Sequence, residues 1–317
     1  MNIFIGVIIG LFVLMFLVTA HEFGHFIMAR RNGVKVIEFG IGIPPRAIAW
    51  TKQNGHWRRL SRAEAKLPQE NLILSFNWLP IGGFCQMDGE SANDKRPHTF
   101  GSASFSSKTK ILFGGVLANW LIGWFILTIL AWTGMPNLIP NQFQIPADTH
   151  LTPISETQTL AHSTWSAPIV GAGLTIQITA ETLKGIGQLF WNLISGFIGQ
   201  FSFDQSVREQ SKLAIGTASD AVSGPVGIIG IIFPAFAATG ATNLAFLTAI
   251  ISISLACINI IPIPALDGGR WLLIAFFKLR KKPLSKTKEQ AIISRTFLIL
   301  LILILLVTIL DISRFFK

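Results

Sequence analysis

Long uncharged runs alternate with strongly charged stretches along the chain. Ile3–Ala20 is apolar, and its helix can continue through Met28. Nothing from Ile111 to Ala147 is charged, and Ile111–Trp132 suits a second membrane span of about 20 residues. Ala221–Leu266 is also uncharged but too long for one span, and Pro225, Pro234 and Gly240 break it. That pattern predicts a half-length apolar segment, Val226–Ala238, then a span from about Thr242 to Ile261. The last run, Thr296–Leu310, is short for a span and requires Arg295 to snorkel to the interface. Gly185–Phe203 is uncharged too, but Gln188, Asn192, Ser195, Gln200 and four glycines interrupt it. It predicts an interfacial or groove-lining helix and no crossing.

Between the first two spans the periodicity changes. Val34–Ile43 and Asn71–Met87 have strand-like composition with Gly and Pro punctuation. Lys52–Glu70 between them is polar and basic, and reads as a surface loop or short helix. The fold class is therefore an α-helical polytopic membrane protein with about four transmembrane helices and a β-rich region after the first.

Composition agrees. Half of the 317 residues are hydrophobic and only 13% are charged, against about 25% in soluble proteins. Mean hydropathy is +0.55. This excludes a disordered chain and an ordinary soluble enzyme. The net charge of +10 would point to nucleic acid on a soluble protein, but its placement gives another reading. Met28–Lys110 holds 13 Lys and Arg against 6 acids, Gly134–Pro225 holds 3 against 6, and Asp267–Arg295 holds 8 against 2. By the positive-inside rule the N-terminus and the middle loop lie outside, and the first and third loops lie in the cytoplasm. No nucleic-acid partner is expected. The two cysteines, Cys85 and Cys257, form neither a disulfide framework nor a Cys-based metal site. Met1–Ala20 lacks a basic n-region and a small-residue cleavage site, so it reads as a span and not as a signal peptide.

The candidate chemistry begins where the first span ends. His21-Glu22-Phe23-Gly24-His25 is an H-E-x-x-H pattern. On a helix the two imidazoles lie one turn apart on one face and can share a metal, with Glu22 placed to activate water. An ionisable residue at the end of an apolar helix is costly and usually functional. A catalytic zinc needs a third protein ligand. His56 and His98 lie in the polar first loop, His150 and His162 in the outer loop, and each reads as a surface histidine. Asp267 is the better candidate. It ends the uncharged stretch Asn259-Ile260-Ile261-Pro262-Ile263-Pro264-Ala265-Leu266-Asp267, at the same depth as His21 and His25 if the first and third spans both run outside to inside. Another crossing between them would place the groups a membrane apart. Pro262 and Pro264 break the helix just before Asp267, which lets the carboxylate turn and exposes carbonyls and the Asn259 amide to a substrate.

Taken together, these residues resemble the site-2 proteases, the intramembrane zinc metalloproteases, and most closely the bacterial regulator-of-sigma-E protease type. That family pairs H-E-x-x-H with N-x-x-P-x-P-x-L-D-G, and Asn259, Pro262, Pro264, Leu266, Asp267 and Gly268 match the second motif at every fixed position. Leu79-Pro80-Ile81-Gly82-Gly83-Phe84 resembles its membrane-re-entrant β-loop, and Gly115 with Asn119 its second core helix. Ser223–Ile228 resembles the segment before the third. One departure stands out. Members of this branch carry PDZ domains between the second and third core helices, whereas only Gly134–Val170 is available here, too short for one.

The resemblance implies a zinc endopeptidase of regulated intramembrane proteolysis, with His21, His25 and Asp267 on the metal and Glu22 as general base. Asn259 assists at the oxyanion. Pro262 and Pro264 open the backbone, and an edge near Gly82, Gly83 and Phe84 holds the substrate extended. Its substrates would be single-span membrane proteins or peptides, such as anti-sigma factors or remnant signal peptides, and substrate filtering would be absent or supplied by a separate partner. The expected location is the bacterial inner membrane, with the active site near the cytoplasmic face and the lipid bilayer as its surroundings. The expected divisions are 1–29 (first span), 30–110 (cytoplasmic-side β region), 111–133 (second span), 134–225 (outer loop), 226–267 (half-helix and third span), 268–295 (basic segment) and 296–317 (fourth span and tail). The alternative is a membrane zinc-binding protein without protease activity, a carrier or scaffold.

Overall fold

The computed structural model describes residues 3–53, 55–61, 71–91, 94–136, 152–155, 159–161, 165–201, 204–211, 213 and 224–315. His150 and His162 lie outside them. Among the described residues four helices are long and apolar enough to cross a membrane. These are α1 (Ile3–Arg31), α2 (Phe105–Thr133), the later Ala241–Ile260, and the stretch Lys286–Ile309 of the last helix. The last leaves its apolar window unburied by the rest of the chain, as a lipid-facing helix would.

The chain divides into two compact units. One comprises residues 8–125 and 251–300. Its sheet holds three antiparallel strands in the order β2-β1-β3, with β1 Val36–Gln53, β2 His56–Arg59 and β3 Ile73–Met87. Both long strands bend midway. Val36–Ile41 pairs with Gly83–Met87, and Arg46–Thr51 pairs with Ile73–Asn77. The bend is pinned by a polar cluster. Glu38, only 2% exposed, accepts from Arg46 and from Ser75 Oγ at 2.6 Å. Asn77 Nδ2 donates to the Ile41 and Gly42 carbonyls at 3.2 Å each. The tip beyond it exposes Ile43, Phe76, Trp78 and Leu79, an apolar surface suited to lipid. Sequence had suggested a loop or short helix over Lys52–Glu70. Over the start of that stretch the structure instead forms the β1–β2 hairpin, with Lys52 opposite Trp57, because Gly55 at φ 85 supplies the turn; residues 62–70 lie outside the described ones.

Beneath the sheet, Ala29, Val34, Val36, Met87, Phe100, Ile111, Leu112 and Ile274 form one buried cluster. It ties the end of α1 to the start of α2. The unit closes with the end of the third span, a short helix Asp267–Leu279 and the start of the last helix.

The other unit comprises residues 1–7, 126–250 and 301–317. It carries a small sheet in the order β4-β6-β5 (Met135–Pro136, Thr159–Ala161, Thr152–Ser155). Helix α3 follows, Ala167–Gly199. It starts well before Gly185, where the polar interruptions had placed it. Its glycines do not break it: Gly171 packs against Thr128, where a Cβ would lie 2.5 Å from Oγ1, while Gly173, Gly185 and Gly187 face open space. The half-length apolar segment is a turn at Pro225–Gly227, a π-turn at Ile228–Ile232 and α4, Phe233–Ala238. We number the remaining helices α5 (Ala241–Ile260), α6 (Asp267–Leu279) and α7 (Lys286–Phe315). Asp311, which the charge pattern counts with the tail, is instead buried in α7. Its Oδ2 accepts the Gly227 N–H at 2.9 Å and so caps the segmented helix.

Candidate metal centre

The H-E-x-x-H residues occupy the last turns of α1. His21 and His25 are each 7% exposed, and their rings meet edge to face with centroids 4.7 Å apart. Asp267 is the first residue of α6. The chain unwinds at Ile261–Leu266, where Pro262 and Pro264 cannot continue α5. Leu266 is extended, and its carbonyl accepts the Arg270 N–H at 2.9 Å to start the new helix. Gly268 and Gly269 make this turn fit: a Cβ on either would fall on the carbonyl of Ile260 or Ile263.

The break swings Asp267 onto the histidines. Its Oδ2 lies 3.0 Å from His21 Nε2 and 3.3 Å from His25 Nε2, and the two Nε2 atoms are 3.1 Å apart. His25 Nδ1 donates to the Ile111 carbonyl at 2.8 Å, which leaves the Nε2 lone pair pointing into the cluster. Two imidazole lone pairs and a carboxylate oxygen thus converge, an arrangement that repels itself without a cation. Four-coordinate zinc with bonds of about 2.0–2.2 Å sets neighbouring ligand atoms about 3.3 Å apart, so the donor set fits. Among the described residues this is the group of histidines and acids able to hold a metal ion.

Helix α2 closes the cluster from the other side. Gly115 faces it directly: a Cβ there would lie 2.7 Å from His21 Nε2 and from His25 Nε2. Beside it, Gly24 and Gly114 bring the α1 and α2 backbones into contact. One turn apart on a helix, Gly115 and Asn119 suit close packing and an interhelical hydrogen bond. The packing is as expected, but the bond differs: Ser252 Oγ donates to the Asn119 backbone carbonyl at 2.7 Å. The Asn119 amide is buried without a hydrogen-bond partner.

Glu22 lies beside the Cys85 backbone N–H of β3. Burial, with Glu22 and Glu90 nearby, pushes the Cys85 thiol up to about 12. Gly82, at φ 76, and Gly83 dock on α1 at Val18 and Thr19, with Thr19 Oγ1 3.1 Å from a Gly83 Cβ position. The Phe84 ring lies over Gly40. The hairpin therefore reaches α1 within one turn of His21. Asn259 is spent locally, its Nδ2 donating to Leu255 O at 2.9 Å. His56 and His98 are exposed and apart from the cluster.

A buried His-His-Asp donor set with an adjacent glutamate, carried on apolar helices, defines a membrane-embedded metallohydrolase. The sequence profile of peptidase family M50 matches residues 9–303, and the chain belongs to that family of zinc metalloproteases. It is 40% identical over 121 residues to the zinc metalloprotease RasP of Shouchella clausii, covering 38% of this chain and 25% of that one. To the regulator of sigma-W protease RasP of Bacillus subtilis it is 34% identical over 151 residues, 48% of this chain and 30% of the relative. With RasP of Oceanobacillus iheyensis the similarity runs end to end, 25% over 418 residues, covering 96% of this chain and 98% of the relative. That alignment is longer than this chain, so part of the relative has no counterpart here. The chain is a multi-pass intramembrane zinc metalloprotease, and a carrier or scaffold without protease activity is not favoured.

Proposed function

We propose that His21, His25 and Asp267 hold the zinc and that Glu22 is the general base of peptide-bond hydrolysis. The convergence of three donor atoms beside Glu22 carries this reading. When bound, zinc supplies Lewis acidity that polarises a carbonyl and acidifies water. Glu22 takes the proton of the attacking water and returns it to the leaving amine. His25 is held in one tautomer by the Ile111 carbonyl, which keeps its Nε2 directed at the centre. Asn259 would have to leave Leu255 O to reach the oxyanion.

The substrate is the transmembrane segment of a single-span membrane protein or peptide, unwound before cleavage. The bent hairpin supports this: Gly82, Gly83 and Phe84 lie against α1 beside the centre, where an extended segment can add main-chain hydrogen bonds. Pro262 and Pro264 keep the opposite backbone open. The sigma-regulating name of the Bacillus subtilis relative favours anti-sigma factors as substrates, with remnant signal peptides a second class. The domain divisions at 29, 110, 133, 225, 267 and 295 follow the same reading. The charge pattern places the N-terminus outside and the centre near the cytoplasmic face of a bacterial inner membrane. The test is Glu22→Gln in the full-length protein: zinc content unchanged and cleavage of a membrane-embedded reporter abolished. Full activity in that variant removes Glu22 from the mechanism.

A further inference from the structure

A cavity of about 570 Å³ opens where α1 ends, away from the metal centre. Arg30, Lys35, Lys52 and His98 line it, and no carboxylate does among the described residues. Among the described residues, Asp88 and Asp94 both pair with Arg96, at 3.0 and 2.7 Å. The floor is apolar, with Val34 and Val36 buried. Trp57 stands in the wall, 51% exposed and opposite Lys52 across the β1–β2 hairpin.

We propose that this pocket binds the phosphate headgroup of an anionic membrane lipid. Two independent features point to a lipid and not to a soluble phosphate. The first is depth. Helix α1 has 29 residues, about 44 Å at 1.5 Å per residue, against a hydrocarbon core of about 30 Å. Arg30 therefore sits at headgroup level, where an amphipathic Trp ring also settles. The second is an apolar track. Phe16, Phe23 and Arg30 recur at seven-residue spacing on one face of α1. Phe16 and Phe23 are 56% and 48% exposed. Phe23 stacks on Phe26, and the Arg30 guanidinium lies over the Phe26 ring at 5.7 Å. An acyl chain can follow this face down from a headgroup held at its end.

His98 is fixed on the pocket by its backbone. His98 adopts φ 60, a left-handed conformation uncommon for a residue with a side chain. Its Nδ1 bonds the Gly33 carbonyl at 3.2 Å, and its own carbonyl accepts the Lys35 N–H at 2.8 Å. Its other ring nitrogen is left for a ligand.

The test uses the full-length protein in nanodiscs of phosphatidylcholine with and without phosphatidylglycerol, with retained lipid read by native mass spectrometry. The wild type should retain phosphatidylglycerol selectively. Lys35→Gln with Lys52→Gln should weaken retention about fivefold per lysine. The control Lys281→Gln with Lys288→Gln removes as much charge elsewhere and should leave retention unchanged. Zinc content at the wild-type level certifies folding of each variant. Phe23→Ala should weaken lipid retention with the lysines intact. Equal retention in the pocket and control variants overturns the proposal. So does glycerol 3-phosphate or inorganic phosphate binding to the phosphatidylcholine nanodiscs as tightly as the lipid does, which would assign the pocket to a soluble phosphate.

Discussion

Gly115→Ala is a one-methyl probe of the metal centre. The added Cβ would lie 2.7 Å from His21 Nε2, His21 Cε1 and His25 Nε2, whereas ordinary contact begins at 3.4 Å. Relief requires a retreat of about 0.7 Å, several times the roughly 0.2 Å by which ligand distances can stray. Neither side yields easily. His25 is tethered to the Ile111 carbonyl of the same α2 helix at 2.8 Å, and α1 cannot slide because Gly24 and Gly114 already bring the backbones into contact. The ligands must therefore distort, and a zinc-affinity loss of about 10–100-fold is expected, the range seen when a ligand's support is removed. Titrating the purified protein with a chelator and measuring bound zinc by mass spectrometry reads this directly, and excess zinc should restore part of the cleavage. Gly173→Ala is the matched control, because its Cβ meets nothing within 4 Å. It should keep zinc and gain up to about 1 kcal/mol of helix stability. Wild-type zinc retention and full cleavage in Gly115→Ala would refute the arrangement of α2 against the ligands.

Three further outcomes follow from neighbouring contacts. Gly269→Ala places a methyl on the Ile263 carbonyl; the turn before Asp267 must open, and zinc should be lost with His21 and His25 intact, as metal analysis would show. Arg270 joins the Glu90 carbonyl, the Glu289 carboxylate at 3.7 Å and the Phe100 ring at 4.8 Å, beside a cavity shared with Asp267; Arg270→Met should lower kcat with KM nearly unchanged, and Arg270→Lys should restore part of it, whereas equal kcat in all three proteins would make the clamp irrelevant to the centre. Asp311→Ala leaves the buried Gly227 N–H unpaired, at a cost of about 1–3 kcal/mol, and should lower Tm without changing zinc content.

Where the sequence could be read, one physical constraint dominated. Four uncharged runs became four long apolar helices because a bilayer tolerates little else. The fold was less legible where interactions are long-range. Polar residues and glycines concealed the length of α3, since its glycines either pack closely, as Gly171 does on Thr128, or face open space. The β1–β2 hairpin hid inside a basic stretch that alternation alone did not mark. Asp311 looked like a tail charge because only its partner, Gly227, shows it to be a cap.

At the centre, the spacing of His21, Glu22 and His25 and the break at Pro262 and Pro264 mark the candidate residues locally, and the structure brings Asp267 to the two histidines. What the sequence hides is why the residues around them must be small. Gly24 sits inside the motif at a position the pattern leaves free, yet a Cβ there would strike Gly114. Gly115 looks like a packing glycine, yet it fronts both imidazoles. Gly268 and Gly269 suggest a flexible turn, yet both lie within a helix and touch the carbonyls that unwinding releases. In each case the missing Cβ leaves room for backbone or ligand atoms. The small residues thus belong to the proposed metal centre as much as its proposed ligands do, and substitutions there should act first on zinc.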